Sequence, residues 1–289
     1  MAEEMVLALD VGGTKLAAGI VDAEGRLTGR RQVETPEGTD GEALFGVVAE
    51  LVDGVRGDAG LVGFGVGCGG PMTSTGVSPL NIPAWRGFPL RERLAAHTGL
   101  PVLVDNDAKA LALGEGWRGA ARGVRDYLAM VVSTGVGGGI VLDGRLLDGH
   151  AGNAGHIGHL IVEPGGRICP CGARGCLEAE ASGTAITAIT GGHPRDAPIE
   201  VRERTGTLVG RAVASVANLL DLRLACVAGS VALGYGDVFL AAARAELAAS
   251  ARIAHSRGAE IRIGALGDAG PLVGAGALGW KAAGVVVGD

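Results

Sequence analysis

Three cysteines and a histidine crowd into one short segment: His159, then Cys169-Pro-Cys171-Gly-Ala-Arg-Gly-Cys176. Thiolates and imidazole are the donors that Zn²⁺ takes in closed tetrahedral sites. The intervening glycines let the backbone fold tightly around an ion. Four protein donors leave no position for water, so the expected metal is structural and not a Lewis acid for the chemistry. The alternative is a set of buried free thiols, because cysteine packs as a small hydrophobe. The close spacing of the cysteines favours zinc. Cys68 and Cys226, at strand ends, read as packing.

Two glycine-rich turns suit phosphate. Asp10-Val-Gly-Gly-Thr-Lys15 is not a Walker A loop, which needs G-x-x-x-x-G-K-[ST]. Gly12 and Gly13 nevertheless let backbone N–H groups approach an anion closely. Thr14 adds a hydroxyl, Lys15 closes the set, and Asp10 is placed to hold a Mg²⁺ shell, since Mg²⁺ prefers one or two carboxylates plus phosphate oxygens and water. Ser133-Thr-Gly-Val-Gly-Gly-Gly139 is a second such loop, contributing Thr134, Gly135, Gly137 and Gly138. Each alone can be an ordinary hairpin turn. Together they are expected to face across a cleft and grip a nucleotide polyphosphate from both sides.

These turns need strands to hold them. Apolar runs over Met5–Asp10 and Leu16–Val21 flank the first turn, and Leu27–Val33 follows a turn at Asp22–Gly25, which reads as an antiparallel meander. Glu42–Arg56 has a helical apolar period. Leu61–Cys68 and Pro101–Val104 read as strands, the second ending at Asp105-Asn106-Asp107 before a helix over Ala108–Trp117. The pattern then returns: strand Tyr127–Val132, the glycine run to Gly139, strand Ile140–Leu142, and Asp143-Gly-Arg-Leu146 against the earlier Glu24-Gly-Arg-Leu27. Such self-similarity predicts a duplicated domain. Helices over Gly206–Leu220, Val238–Ala249 and Leu272–Ala282 alternate with strands Leu224–Ala228 and Ile261–Ile263, so the class is α/β. The expected hinge lies near Asp107. It separates an N-terminal lobe over 1–107, rejoined by a C-terminal helix over 272–289, from a C-terminal lobe over 108–271 with a zinc loop over 159–178.

The 289 residues are 47% hydrophobic but only 3% aromatic, so the core is built from Ala, Val, Leu and Ile, while 53 glycines punctuate the apolar runs. A net charge of −6 with no Lys/Arg-rich stretch speaks against a nucleic-acid partner. No apolar run approaches the ~20 residues of a membrane span. The start, Met1-Ala-Glu-Glu-Met5, lacks the basic region of a signal peptide. The expected location is the cytosol, where cysteines read as metal ligands and not as a disulfide framework.

Asp10–Lys15, Ser133–Gly139, Gly155-His-Ile-Gly-His159 and Cys169-x-Cys-Gly-x-x-Gly-Cys-x-Glu178 occur in this order, with Asn106-Asp107 and a Gly229-Ser230 turn. In these motifs, over nearly its whole length, the sequence resembles the ROK family of repressors, open reading frames and kinases. Within that family it is most similar to bacterial N-acetylmannosamine kinases, with the glucokinases next. The resemblance implies an actin-like, hexokinase-type two-lobed fold of duplicated ribonuclease H-like domains that closes over sugar and ATP, often as a homodimer. It implies transfer from Mg²⁺-bound ATP to the 6-hydroxyl of a hexose or N-acylhexosamine.

By that resemblance Asp107 is the general base. Gly70, Asn81, Asn106, Asp107, His156, His159 and Glu178 contact the sugar, and Gly229 and Ser230 complete the nucleotide set. For Asp107 the alternative is a helix N-cap, a role open to Asn106 as well. For Asn81 it is a turn closure, and Trp85 reads as packing. His159 can serve twice, one ring nitrogen on zinc and the other on a sugar hydroxyl. Three positions depart from the family pattern: His156 stands where Glu is common, Lys109 where Asn or Gln is usual, and Ala228 where the adenosine-side turn has a first Gly. His156 opens the acceptor to glucose, N-acetylmannosamine or another aminosugar. A non-catalytic sugar-sensing regulator is the rival from another class. Regulators of the family carry a helix-turn-helix module, for which a first strand beginning at Met5 leaves no room.

Overall fold

A computed structural model of the chain describes residues 4–57, 60–73 and 75–287. The chain forms two compact units. Unit 1 runs to Gly123 and takes in Asp148–Ala154 and the chain from Asp268 onward; unit 2 holds Val124–Leu147 and Gly155–Gly267.

Unit 1 contains β1 (Met5–Val11), β2 (Lys15–Asp22), β3 (Leu27–Glu34), α1 (Gly41–Arg56), β4 (Leu61–Cys68), a hairpin of β5 (Met72–Thr73) and β6 (Gly76–Val77), α2 (Leu90–Thr98), β7 (Val102–Asn106) and α3 (Asp107–Arg118). Its sheet order is β3-β2-β1-β4-β7. The β3-β2-β1 meander is antiparallel, and β1, β4 and β7 run parallel.

Unit 2 contains β8 (Tyr127–Val132), β9 (Val136–Leu142), β10 (Arg145–Leu146), α4 (Leu177–Ala181), α5 (Gly183–Thr190), α6 (Ile199–Leu220), β11 (Leu224–Ala228), α7 (Ser230–Ser250) and β12 (Glu260–Ile263). Its sheet order, β10-β9-β8-β11-β12, and its pairing senses repeat those of unit 1. The duplication expected from the short sequence repeat is therefore a repeat of topology. A final helix, α8 (Gly270–Ala282), belongs to unit 1.

The sequence of β1 explains its place. Val6, Leu7, Ala8 and Leu9 have no exposed surface, as a strand covered on both faces requires. Leu7, Leu9 and Val11 join Leu44, Val48 and Val52 of α1 in one core cluster. On the other face Val6 meets α8, where a Cβ on Gly279 would lie 2.9 Å from the Val6 Cβ.

The unit boundary falls at Gly123 and not near Asp107. Helix α3 packs on α8 so closely that a Cβ on Gly274 would collide with the Ala110 carbonyl, which keeps α3 with the first sheet. Helix α8 covers Gly270–Ala282, against the 272–289 expected; Gly288 and Asp289 lie outside the described residues. Three other elements differ from expectation. Strand β9 begins at Val136, so most of the glycine run is strand. Helix α6 begins at Ile199, ahead of Gly206. Helix α7 begins at Ser230, ahead of Val238, with a break at Gly236 (φ 56°). The short α4 and α5 carry too few turns for a helical period to be read. Among the described residues no helix is long and apolar enough to cross a membrane.

Strand β4 and helix α8 meet backbone to backbone: a Cβ on Gly65 would collide with the Ala275 carbonyl, and one on Gly63 with the Gly279 carbonyl. Neither partner is the end of a flexible side chain. Gly65→Ala is expected to destabilise unit 1 by about 3 kcal/mol, the upper part of the usual range for overpacking, read as a lower urea midpoint.

Candidate functional site

In unit 1, Asp10 pairs in register with Gly67, and Gly67 with Asp105. Asp10, Gly67 and Asp105-Asn106-Asp107 thus stand at the carboxyl ends of three parallel strands, where open α/β sheets bind ligands. Gly67 has no side chain to fill the space: a Cβ there would lie 3.4 Å from the Asp107 Cα and 3.8 Å from an Asp10 carboxylate oxygen. Burial, and then the charge of Asp107, push the Asp10 carboxyl up to about 7, against the opposing pull of Lys15 and Arg30. Two carboxyls that crowd each other in this way suit a divalent cation with its own water and phosphate ligands.

Asn106 is the N-cap of α3. Its side-chain oxygen accepts from the Ala108 N–H at 3.0 Å and the Lys109 N–H at 3.3 Å. Asp107 sits in the first helical turn, where its own carboxylate accepts from the Ala108 N–H at 2.9 Å. The cap thus falls to Asn106.

The Gly12-Gly13-Thr14 turn is narrower than the expected phosphate loop, because Asp10 and Lys15 are strand residues. It is closed by the Gly12 N–H on the Lys15 carbonyl at 3.0 Å. Thr35 braces it, its N–H donating to the Thr14 carbonyl at 3.1 Å and its hydroxyl to the Gly12 carbonyl at 2.8 Å. A lone Thr after a strand gives no signal for that role. The exposed Asn81 lies against the same turn, since a Cβ on Gly13 would come within 2.7 Å of the Asn81 Cβ. The Gly70 carbonyl accepts from the Leu80 N–H at 3.2 Å, which brings Gly70 to the same loop. Trp85 is fully buried and stacks on Phe88 with centroids 4.7 Å apart, as packing.

In unit 2, the Ser133–Gly135 turn meets two helix starts. At α5, the Gly183 N–H donates to the Ser133 carbonyl at 2.7 Å, and the Thr184 hydroxyl to the Thr134 carbonyl at 3.0 Å. At α7, the Ser133 and Ser230 hydroxyls lie 2.9 Å apart. Gly229 has φ 100°, and a Cβ there would collide with the Val132 carbonyl, so only glycine serves. Thr134, Gly135, Gly229 and Ser230 therefore form one cluster, joined by Thr184, which sequence reading missed. Gly137 and Gly138 are not in that turn. They pair with Val131 and Met130 inside the sheet. Gly138 instead gives room to the next segment, a Cβ there lying 2.8 Å from the Ile157 side chain.

Helix α4 aims Glu178 at the same turn. One carboxylate oxygen accepts from the Val136 N–H at 2.9 Å. That contact was not foreseen for a residue expected on the sugar. His156 and His159 flank a single 3₁₀ turn with ring centroids 6.1 Å apart.

His159, Cys169, Cys171 and Cys176 converge, their ligand atoms all lying within 4.8 Å of one another. The His159 Nδ1 is 3.6 Å from the Cys169 Sγ, and the Cys171 and Cys176 sulfurs are 3.7 Å apart. Tetrahedral zinc with Zn–S near 2.3 Å and Zn–N near 2.0 Å needs edges of about 3.8 Å and about 3.5 Å. The donor set fits. Desolvation and the Cys171 thiol push Cys176 up to about 12, desolvation raises Cys169, and the Ala173 N–H lowers Cys171. Binding must therefore displace thiol protons. Behind the loop the buried Glu180 accepts from the Arg167 N–H at 2.6 Å and from the Arg167 and Arg204 guanidiniums at 2.7 Å each. Burial alone would raise Glu180, yet these donors hold it below the usual carboxylate range. The sequence carried no sign of this lock.

The sequence profile of the ROK family matches residues 6–282. The chain is 37% identical to an N-acetylmannosamine kinase of Citrobacter koseri, over 80% of this chain and 84% of that protein. It is 41% identical to a glucokinase of Streptomyces coelicolor, over 63% of this chain and 57% of that protein. Its fold superposes on a ROK family glucokinase from Streptomyces griseus, solved with glucose and AMPPNP, with a TM-score of 0.84 at 30% identity, covering 96% of this chain and 99% of that one. The two-lobed actin-like α/β architecture stands on that likeness.

Metal analysis is expected to return one zinc per chain, lost in Cys176→Ala, with the thermal midpoint falling when a chelator strips the wild type. Asp10 gives a pH test. Its folded pKa of about 7 lies above that of an unfolded Asp, near 3.9. The folded chain then binds the proton more tightly, and stability falls as pH rises from about 4 through about 7. Without nucleotide or metal, Asp10→Asn is expected to raise the midpoint at about pH 8 and to lose that advantage toward about pH 4.

Proposed function

Since the chain belongs to the ROK family, we propose that it transfers the γ-phosphoryl group of ATP to the 6-hydroxyl of a hexose or N-acylhexosamine, with N-acetylmannosamine the first candidate and glucose the alternative. The observation that carries this reading is the carboxyl pair. Asp10 and Asp107 face the carboxyl ends of β1, β4 and β7 from either side of Gly67, with a phosphate-type turn continuing from one and an N-capped helix from the other.

As an ATP-dependent carbohydrate kinase, the chain needs alignment and charge neutralisation more than covalent chemistry. Asp107 takes the proton of the sugar hydroxyl. The freed oxygen attacks the γ-phosphorus, the bond from that phosphorus to the β–γ bridging oxygen breaks, and ADP leaves. Backbone N–H groups of Gly13 and Gly135, with the Thr14 hydroxyl, hold phosphoryl oxygens, while Gly12 keeps its N–H on the Lys15 carbonyl and closes the turn; Gly229 and Ser230 hold the nucleoside side. Mg²⁺, when bound with ATP, neutralises phosphate charge, and Asp10 holds its shell. Gly70, Asn81, Asn106, His156, His159 and Glu178 orient the sugar. His156 in a position where Glu is common favours an N-acyl group over a bare hydroxyl, because an imidazole N–H donates to an amide carbonyl.

Zinc is structural in this reading. With Nδ1 on the metal, His159 keeps Nε2 for the sugar, and Cys176 fixes the start of α4 and hence Glu178. Chelation then raises the sugar KM as well as lowering stability. Cys169, Cys171 and Cys176, read as metal ligands and not as a disulfide framework, suit the cytosol. A homodimer is the assembly we expect, with exposed Leu219 and Ile253 as apolar surface for it.

A coupled assay over N-acetylmannosamine, glucose, N-acetylglucosamine and mannose is expected to find turnover with at least one. Asp107→Asn should lower kcat about 10²–10⁴-fold with the fold intact. A folded variant with near-normal kcat contradicts the assignment.

A further inference from the structure

Lys109 is a buried lysine. Its side chain is 2% exposed, yet the mechanism above does not use it. The ammonium donates to an Asp105 carboxylate oxygen at 3.0 Å, to an Asp148 carboxylate oxygen at 2.8 Å and to the Gly152 carbonyl at 3.1 Å. A charge this deep persists only when its partners replace its hydration. All three partners belong to unit 1.

They join two structures of different purpose. The same Asp105 oxygen accepts from the Asn106 N–H at 2.7 Å, one residue before the proposed base. On the other side, Asp148 and Gly152 lie in the segment Asp148–Ala154, which belongs to unit 1. The segment is closed on itself by the Ala154 N–H on the Asp148 carbonyl at 3.0 Å. It has a second anchor: the Asn153 side chain accepts from the Met72 N–H at 2.9 Å and donates to the Met72 carbonyl at 3.1 Å, two residues from Gly70. One ammonium thus ties the Asn106-Asp107 start of α3 to the segment that clamps Met72 beside Gly70.

We propose that Lys109 is a positioning residue for the sugar: through Asp105 it sets Asn106 and Asp107, and through Asp148 and Gly152 it holds the segment whose Asn153 clamps Met72, two residues from Gly70. The inference rests on the kinase reading given above. It makes the Lys109–Asp148 pair a determinant of sugar affinity and leaves the nucleotide side, held by other turns, unaffected.

The test is steady-state kinetics of Lys109→Gln, Asp148→Asn and the double variant, with the hexose that the wild type turns over best. Asp148 is largely exposed at 62%, so its variant keeps the measurement meaningful if Lys109→Gln folds poorly. Each single variant is expected to raise the sugar KM about tenfold, since small misplacements of positioning groups act on this scale. The double variant should be little worse than the poorer single, the ATP KM should stay within about twofold, and zinc content should not change. A purely structural role would lower the melting midpoint without that split between the two substrates. Unchanged sugar KM in folded Asp148→Asn, or additive losses in the double variant, overturns the role of Lys109 alone. Absence of wild-type turnover with every hexose overturns the kinase reading and this inference with it.

Discussion

Backbone lies on backbone where β4 meets α8. Gly63 and Gly65 present bare Cα atoms to the carbonyls of Gly279 and Ala275, and Gly274 does the same to Ala110 of α3. Ordinary side chains at these positions would separate helix and sheet by several ångströms. The contact holds β1, β4, β7 and α3 as one body, and the carboxyl ends of those strands carry Asp10, Gly67 and Asp105-Asn106-Asp107. The spacing of the two acidic side chains is thus set by residues with almost no side chain. The high glycine count and the scarcity of aromatics are two sides of one packing solution, since close approach of backbones leaves little volume for rings.

Unit 2 reaches a comparable rigidity by a different route. Its turn at Ser133–Gly135 is braced from α5, α7 and α4 at once. The α4 brace, Glu178, comes two residues after a cysteine of the converging donor cluster, and Glu180 in the same short helix is locked by two arginines. A five-residue helix has little intrinsic stability. Donor atoms on one side and guanidiniums on the other give it a fixed place.

The sequence announced what is chemically rare and spatially local. Cysteine spacing led to a donor set that converges, and the two glycine turns lie where the strands end. The fold class and its duplication followed from alternating periods and a brief repeat. Long-range partners were not legible. Thr35, Thr184, Glu180 and Lys109 are common residue types whose roles arise only when distant segments meet. The glycine run at Gly137–Gly139 was misread because glycine signals a turn in isolation, whereas here its missing side chains admit a neighbouring segment to a strand. Nothing near Asp107 in the sequence shows that α3 stays with unit 1; the partner that holds it there is more than a hundred and fifty residues away.

That partner, α8, follows unit 2 in sequence, yet it covers a face of the first sheet. During synthesis β1, β2 and β4 emerge before unit 2, but the surface they offer to Ala275, Gly276 and Gly279 stays bare until α8 follows unit 2 out of the ribosome. Unit 2 is made in between as a largely continuous stretch, and it can complete its own core while unit 1 waits. The order of translation therefore reverses the order of assembly: the half begun first is finished last, and in the interval its apolar sheet face has to be kept from other chains.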